Sequence, residues 1–243
     1  MIRVVVICGD GLNCERESAR AFELVGAKVD IIHINQLKSL KNYQVLVIPG
    51  GFSFGDEISS GQVLALKLKY QLADELKNFV ESGKLVLGIC NGFQALVKLG
   101  LLPKPFEPRT MTLTNNTQKQ FLNRWVDLEI GAKSPCIFTK DMATLKLPIR
   151  HGEGKIVFKG DESQQKKYYE ELKKNHQIVF TYTEDVNGSY QKIAGVCDPT
   201  GHILGLMPHP EAAINQLLMP YGEKKNTAGP ALKIFENAVS YFQ

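Results

Sequence analysis

Through the first hundred positions, short continuous apolar runs alternate with stretches whose apolar residues recur at helical spacing. Arg3–Cys8 reads as a buried strand, Glu15–Val25 as a helix, Lys28–Ile34 as a second strand and Gln44–Ile48 as a third. Ser60–Glu81 sets Val63, Leu64, Leu66, Leu68, Leu72, Leu76 and Val80 along a helix, and Leu85–Ile89 follows as a fourth strand. Strands that are apolar at every position need both faces covered. With helices between them they predict a parallel sheet inside an α/β three-layer sandwich.

The texture changes at Leu102. Pro103, Pro105 and Pro108 interrupt regular structure, and β-rich runs then appear at Met111–Thr114, Phe121–Ile130, Leu145–Ile149 and Lys155–Phe158. Glu162–Asn175 reads as a charged surface helix, and Gln177–Tyr182 and Ile193–Cys197 as strands. Asp198–Gly201 is a turn leading to a strand at His202–Met207, and Gly229–Phe242 closes the chain as an amphipathic helix. The central sheet is therefore expected to be mixed but mostly parallel. No repeat, low-complexity tract or linker divides the chain, so residues 1–243 are read as one domain.

Composition narrows the function classes. A net charge of +4 is too small to argue for nucleic acid, and the lysines at 166, 167, 173 and 174 alternate with Glu170 and Glu171 as on a solvated helix face. No apolar stretch reaches the ~18 residues of a membrane span, and Met1–Ile7 reads as a first strand rather than a signal peptide. The five cysteines are odd in number and include no C-x-x-C pair. They predict a reducing, cytoplasmic setting, with neither a disulfide framework nor a structural metal.

The chemistry concentrates in Gly88-Ile89-Cys90-Asn91-Gly92, where a strand runs straight into a helix. Glycines two residues before and after a nucleophile mark the elbow that lifts a side chain above a parallel sheet. The helix N-terminus beneath it favours a thiolate. Cys90 also has an ordinary reading as a packed core cysteine, so it needs a base. In Met207-Pro208-His209-Pro210-Glu211, His209 follows a strand that should end at the sheet's carboxyl edge. Pro210 favours an extended His209, which would place Glu211 on the same side of the chain to orient the imidazole. Cys90, His209 and Glu211 form a candidate triad.

An attacked carbonyl would also need N–H donors for its oxygen. Asn91 offers one, and Gly50-Gly51 at the mouth of the third strand can offer another. Phe52-Ser53-Phe54-Gly55-Asp56 makes a pocket wall carrying a carboxylate. His151, in His151-Gly152-Glu153-Gly154, is a further candidate; His33 reads as a strand histidine, and His176 and His202 carry no assignment.

Pro-Gly-Gly at 49–51, Gly-Ile-Cys-Asn-Gly-Phe-Gln at 88–94 and His-Pro-Glu at 209–211, in that order, resemble the class I (triad) glutamine amidotransferases. Asn91, the 52–56 loop and His151–Gly154 resemble more narrowly the glutaminase subunits of phosphoribosylformylglycinamidine synthase. One departure is Gly9–Glu15, where only Asn13-Cys14 matches the loop associated with that group.

The resemblance implies a flavodoxin-like amidotransferase fold. It implies attack by Cys90 on glutamine, an oxyanion held at Gly51 and Asn91, and substrate contacts from Gln94, Phe52 and Asp56. Asn115, Arg124 and His151 become substrate or interface residues. It further implies passage of ammonia to an ATP-dependent synthetase of the PurL type, with a small accessory subunit of the PurS type. ATP and Mg²⁺ would sit on the synthetase, since this chain has no P-loop pattern. Asn226-Thr227-Ala228-Gly229 is a candidate interface loop. The rival readings are an amidotransferase of another pathway, a stand-alone γ-glutamyl or thiol hydrolase, and a scaffold that has kept the fold without the chemistry.

Overall fold

A computed structural model describes residues 1–220 and 228–243, so Asn226 and Thr227 of the candidate interface loop lie outside the described residues. The alternating half consists of β1 (Arg3–Cys8), α1 (Glu15–Leu24), β2 (Lys28–His33), β3 (Val45–Ile48), α2 (Gln62–Glu81), β4 (Leu85–Ile89) and α3 (Asn91–Leu99). It is followed by β5 (Met111–Asn115), β6 (Leu122–Ile130), β7 (Thr144–His151), β8 (Glu153–Phe158) and α4 (Glu162–Lys174). Strands β9 (Ile178–Tyr182), β10 (Ile193–Cys197) and β11 (Ile203–Leu206) and helix α5 (Leu232–Ser240) complete the order.

A nine-stranded sheet runs β2-β1-β3-β4-β11-β10-β9-β6-β7. The pairings from β2 to β11 are all parallel and those from β11 to β7 all antiparallel. Strands β3 and β4 are buried along their whole length, as their unbroken apolar runs require. From β1 the chain steps outward to β2, whereas from β3 it steps the other way to β4. Right-handed crossovers then put α1 and α2 on opposite faces. Helix α1 packs with α5, where Phe22 and Phe235 meet edge to face with centroids 5.0 Å apart, and α2 packs with α3.

The β-rich half differs from expectation in one respect. Strands β5 and β8 leave the main sheet and form an antiparallel pair of their own. The cause is local: β7 ends at His151 and β8 begins at Glu153, so the chain changes sheets across the single residue Gly152. Every parallel strand except the outer β2 delivers a loop to the same carboxyl edge: Asn13-Cys14 after β1, Gly50-Gly51 after β3, Cys90 after β4 and His209 after β11. Such an edge, where strand order reverses, is where open α/β sheets build sites.

Candidate active site

Cys90 sits between β4 and α3 with φ 51° and ψ −106°, a strained conformation for a residue carrying a side chain. The flanking glycines make this turn possible. A Cβ on Gly92 would lie 1.8 Å from the carbonyl oxygen of Ile48, so α3 can approach β3 only where no side chain intervenes. Cys90 is 5% exposed, and its Sγ lies 3.7 Å from the carbonyl oxygen of Arg150 at the end of β7.

His209 Nδ1 and Glu211 Oε1 are 2.6 Å apart, and both side chains are essentially inaccessible. The pair forms, but not in the extended geometry expected. His209 is extended, whereas Pro210–Ala213 is a 3₁₀ turn with proline at its first position. The locked φ of Pro210 starts that turn and folds Glu211 back onto the ring. Burial alone would push His209 down. The Glu211 carboxylate, Cys90 and a hydrogen bond with Cys14 outweigh it and hold His209 well above the usual histidine value. Among the described residues, His209 Nε2 has no hydrogen-bond partner and is free to serve Cys90.

Neither the Gly51 N–H nor the Asn91 N–H donates to the main chain outside its own element among the described residues. A side chain at Gly50 would crowd the site itself: a Cβ there would stand 2.8 Å from His209 Cε1 and 3.3 Å from Cys14 Sγ. Cys90, His209, Gly51 and Phe52 all open on one cavity of about 320 Å³, a volume suited to a small metabolite. Glu17 and Arg150 line its wall and pair at 3.9 Å. Phe52 and Phe121 also line it, their rings 6.1 Å apart. A thiol, a buried imidazole–carboxylate pair and unused N–H donors around one cavity can perform acyl transfer through a covalent thioester.

A profile of the CobB/CobQ-like glutamine amidotransferase domain matches residues 1–242. The chain belongs to that family. A phosphoribosylformylglycinamidine synthase subunit PurQ of Methanococcus maripaludis is 43% identical over 271 residues, covering 99% of this chain and 97% of the relative. The PurQ subunit of Dehalococcoides mccartyi is 37% identical, again over 99% and 97% of the two chains. A chain in the structure of PurLQS from Thermotoga maritima superposes with a TM-score of 0.79 at 32% identity, covering 100% of this chain and 99% of that one. The amidotransferase fold expected from the sequence is thus shown.

The remaining expected residues of this amidotransferase divide between those that line the cavity and those behind it. Asp56 and Gln94 do not line the cavity. Asn91 Nδ2 donates to Asp56 Oδ1 at 2.8 Å and to Gln94 Oε1 at 3.3 Å, while Asn91 Oδ1 accepts the Ser53 N–H at 3.3 Å. Gln94 Nε2 donates to the Glu153 carbonyl at 2.5 Å. Asp56 also accepts hydrogen bonds from Ser60 and the Gly61 N–H, and burial raises its carboxyl above the usual value. Their amide and carboxylate groups therefore brace the elbow against the 52–56 loop instead of facing the cavity.

Asn115 is exposed at the end of β5, and its neighbour Asn116 is the buried one. Asn116 Nδ2 donates to the His151 and Gln120 carbonyls at 2.8 and 3.0 Å. Its Oδ1 accepts from the Gly154 N–H at 3.2 Å and meets His151 Nδ1 at 3.1 Å, which makes Nδ1 the donor. Burial lowers His151 to about 3, leaving it neutral. Arg124 pairs with Glu184 at 3.2 Å on the surface, away from the cavity.

Sequence reasoning assigned no role to Cys14, Glu17 or Arg150. Cys14 was visible in the Asn13-Cys14 match; the other two meet only because α1 and β7 both pack against the Pro210–Ala213 turn. Although no metal was expected, Cys14, His209 and Glu211 form a potential ligand cluster with atoms all within 4.8 Å.

Proposed function

We propose that the chain is the glutaminase subunit of a phosphoribosylformylglycinamidine synthase, working in de novo purine biosynthesis as a single amidotransferase domain spanning 1–243. The observation that carries this reading is that the strained Cys90 and the buried His209, itself paired with Glu211, line one cavity. Near-full-length similarity to PurQ subunits supports the pathway.

Cys90 attacks the carboxamide carbon of glutamine, and the developing oxyanion is held by the N–H groups of Gly51 and Asn91. The His209 imidazolium protonates the departing ammonia, leaving a glutamyl thioester at Cys90. His209, neutral after that transfer, takes a proton from water, which attacks the thioester and releases glutamate. Glu211 holds the ring and stabilises its charged form. Asn91, through Asp56, Gln94 and the Ser53 N–H, keeps the two oxyanion donors at a set spacing. Phe52 and Phe121 flank the bound substrate, and Asn116 fixes the turn from β7 to β8 through His151 and Gly154.

Ammonia passes to a PurL-like synthetase, the partner named in the solved PurLQS structure, with a PurS-like subunit completing the assembly. ATP and Mg²⁺ belong to that synthetase. The five free cysteines fit a reducing cytoplasm, and none of the described helices is long and apolar enough to cross a membrane.

Glutamate release from glutamine is the test, measured for the chain alone and with its synthetase. Release that rises with the partner and vanishes in Cys90→Ala is expected. Cleavage of γ-glutamyl peptides without glutamine hydrolysis would overturn the reading in favour of a stand-alone hydrolase.

A further inference from the structure

We propose that Cys14, His209 and Glu211 form an inhibitory site for a thiophilic divalent cation, zinc foremost, reached through the catalytic cavity. Cys14 Sγ lies 4.0 Å from His209 Nδ1, and Glu211 Oε1 lies 2.6 Å from that same nitrogen. Cys14 is 5% exposed and Glu211 1%. The second carboxylate oxygen, Glu211 Oε2, is buried and has no hydrogen-bond partner among the described residues. Thiolate, imidazole and carboxylate are the donor set that zinc takes, with a fourth position left for water. Cys14 and His209 both line the cavity, which supplies the entry path.

Small movements complete the site. Tetrahedral zinc with ordinary bond lengths needs sulfur and nitrogen roughly 3.5 Å apart and nitrogen and oxygen roughly 3.4 Å apart. Cys14 Sγ therefore closes in slightly and the Glu211 carboxylate backs away from the ring. Loading releases the Cys14 thiol proton and the His209 Nδ1 proton to solvent, and the ion sheds the waters that the three side chains replace. The metallated ring then keeps its remaining proton on Nε2. It can neither accept a proton from Cys90 nor cycle one to ammonia, so a loaded site is silent while its nucleophile stays intact.

Inhibition rests on the glutaminase reading; occupancy does not, and the experiment separates the two. The full chain is titrated with Co²⁺, and thiolate-to-cobalt absorption is followed. One Co²⁺ per chain is expected in the wild type and in Cys90→Ser, with the absorption lost in Cys14→Ser and Cys14→Ala. No absorption in the wild type, its loss in Cys90→Ser, or its survival in both Cys14 variants overturns the site. With the synthetase present, the Zn²⁺ concentration for half-inhibition should rise at least about 10-fold in Cys14→Ala, each rate being taken relative to the same variant in chelator. An unchanged concentration overturns the inhibitory role, whereas absent glutamate release in chelator would count against the glutaminase reading alone.

Discussion

Replacing Glu211 by glutamine keeps the shape of the His209 partner and removes only its charge. In the native chain, Nδ1 and Oε1 are 2.6 Å apart with neither side chain open to solvent. With charge centres about 4 Å apart and an effective dielectric constant of about 20, the attraction is worth ~4 kcal/mol. The amide oxygen of the introduced glutamine would still accept the ring N–H, recovering ~1 kcal/mol as a neutral hydrogen bond. The imidazolium therefore loses about 2–3 kcal/mol of stabilisation, which corresponds to a glutaminase rate roughly 30- to 150-fold lower. Steady-state glutamate production with the synthetase present measures it. Because Glu211 is the principal group raising His209, the alkaline limb of the pH profile should also move to lower pH in Glu211→Gln. A folded variant within ~3-fold of the wild-type rate would refute the argument, since the charge would then contribute under 1 kcal/mol.

His209 also links stability to pH. Its folded value is raised above the unfolded one, so its stabilising contribution is complete below the ordinary histidine range and fades as pH rises through the folded value. Denaturant midpoints should fall across that window in the wild type and change less in Glu211→Gln. Gly92→Ala should cost about 3 kcal/mol or more, because its Cβ would enter the Ile48 carbonyl; calorimetry should show a Tm lower by roughly 6–12 °C. Gly50→Ala has no such backbone clash and should fold, yet its methyl meets His209 and Cys14, so glutamate release should collapse while the melting curve holds. Asn91→Ala strands the Ser53 N–H and takes one of three donors from the Asp56 carboxylate, costing ~1–3 kcal/mol; turnover should drop while iodoacetamide still alkylates Cys90.

The first half of the fold is legible because its strands are apolar without interruption and its helices carry clear periodicity, so β3, α2, β4 and the elbow fall where the pattern puts them. The split of β5 and β8 from the main sheet is not legible, since a two-residue step across Gly152 looks like any strand junction. The triad stands out because glycine spacing and His-Pro-Glu are local signals. The function of Asp56 and Gln94 is not local: only the fold reveals that both turn toward Asn91. Adjacent asparagines at 115 and 116 are equivalent in sequence; the alternation that buries Met111 and Leu113 would bury Asn115, but a register shift between Thr114 and Asn115 breaks it and Asn116 is buried instead.

The Asn91 amide joins three segments that are far apart along the chain: the elbow, the loop after β3 and, through Gln94, the start of β8. A force applied to any one of them is felt at the other two. A subunit that leans on the exposed face of the 52–56 loop therefore need not reach the thiol to govern it. The same coupling means that a change at position 91 alters the hydrogen bonding of positions 56 and 94 at once.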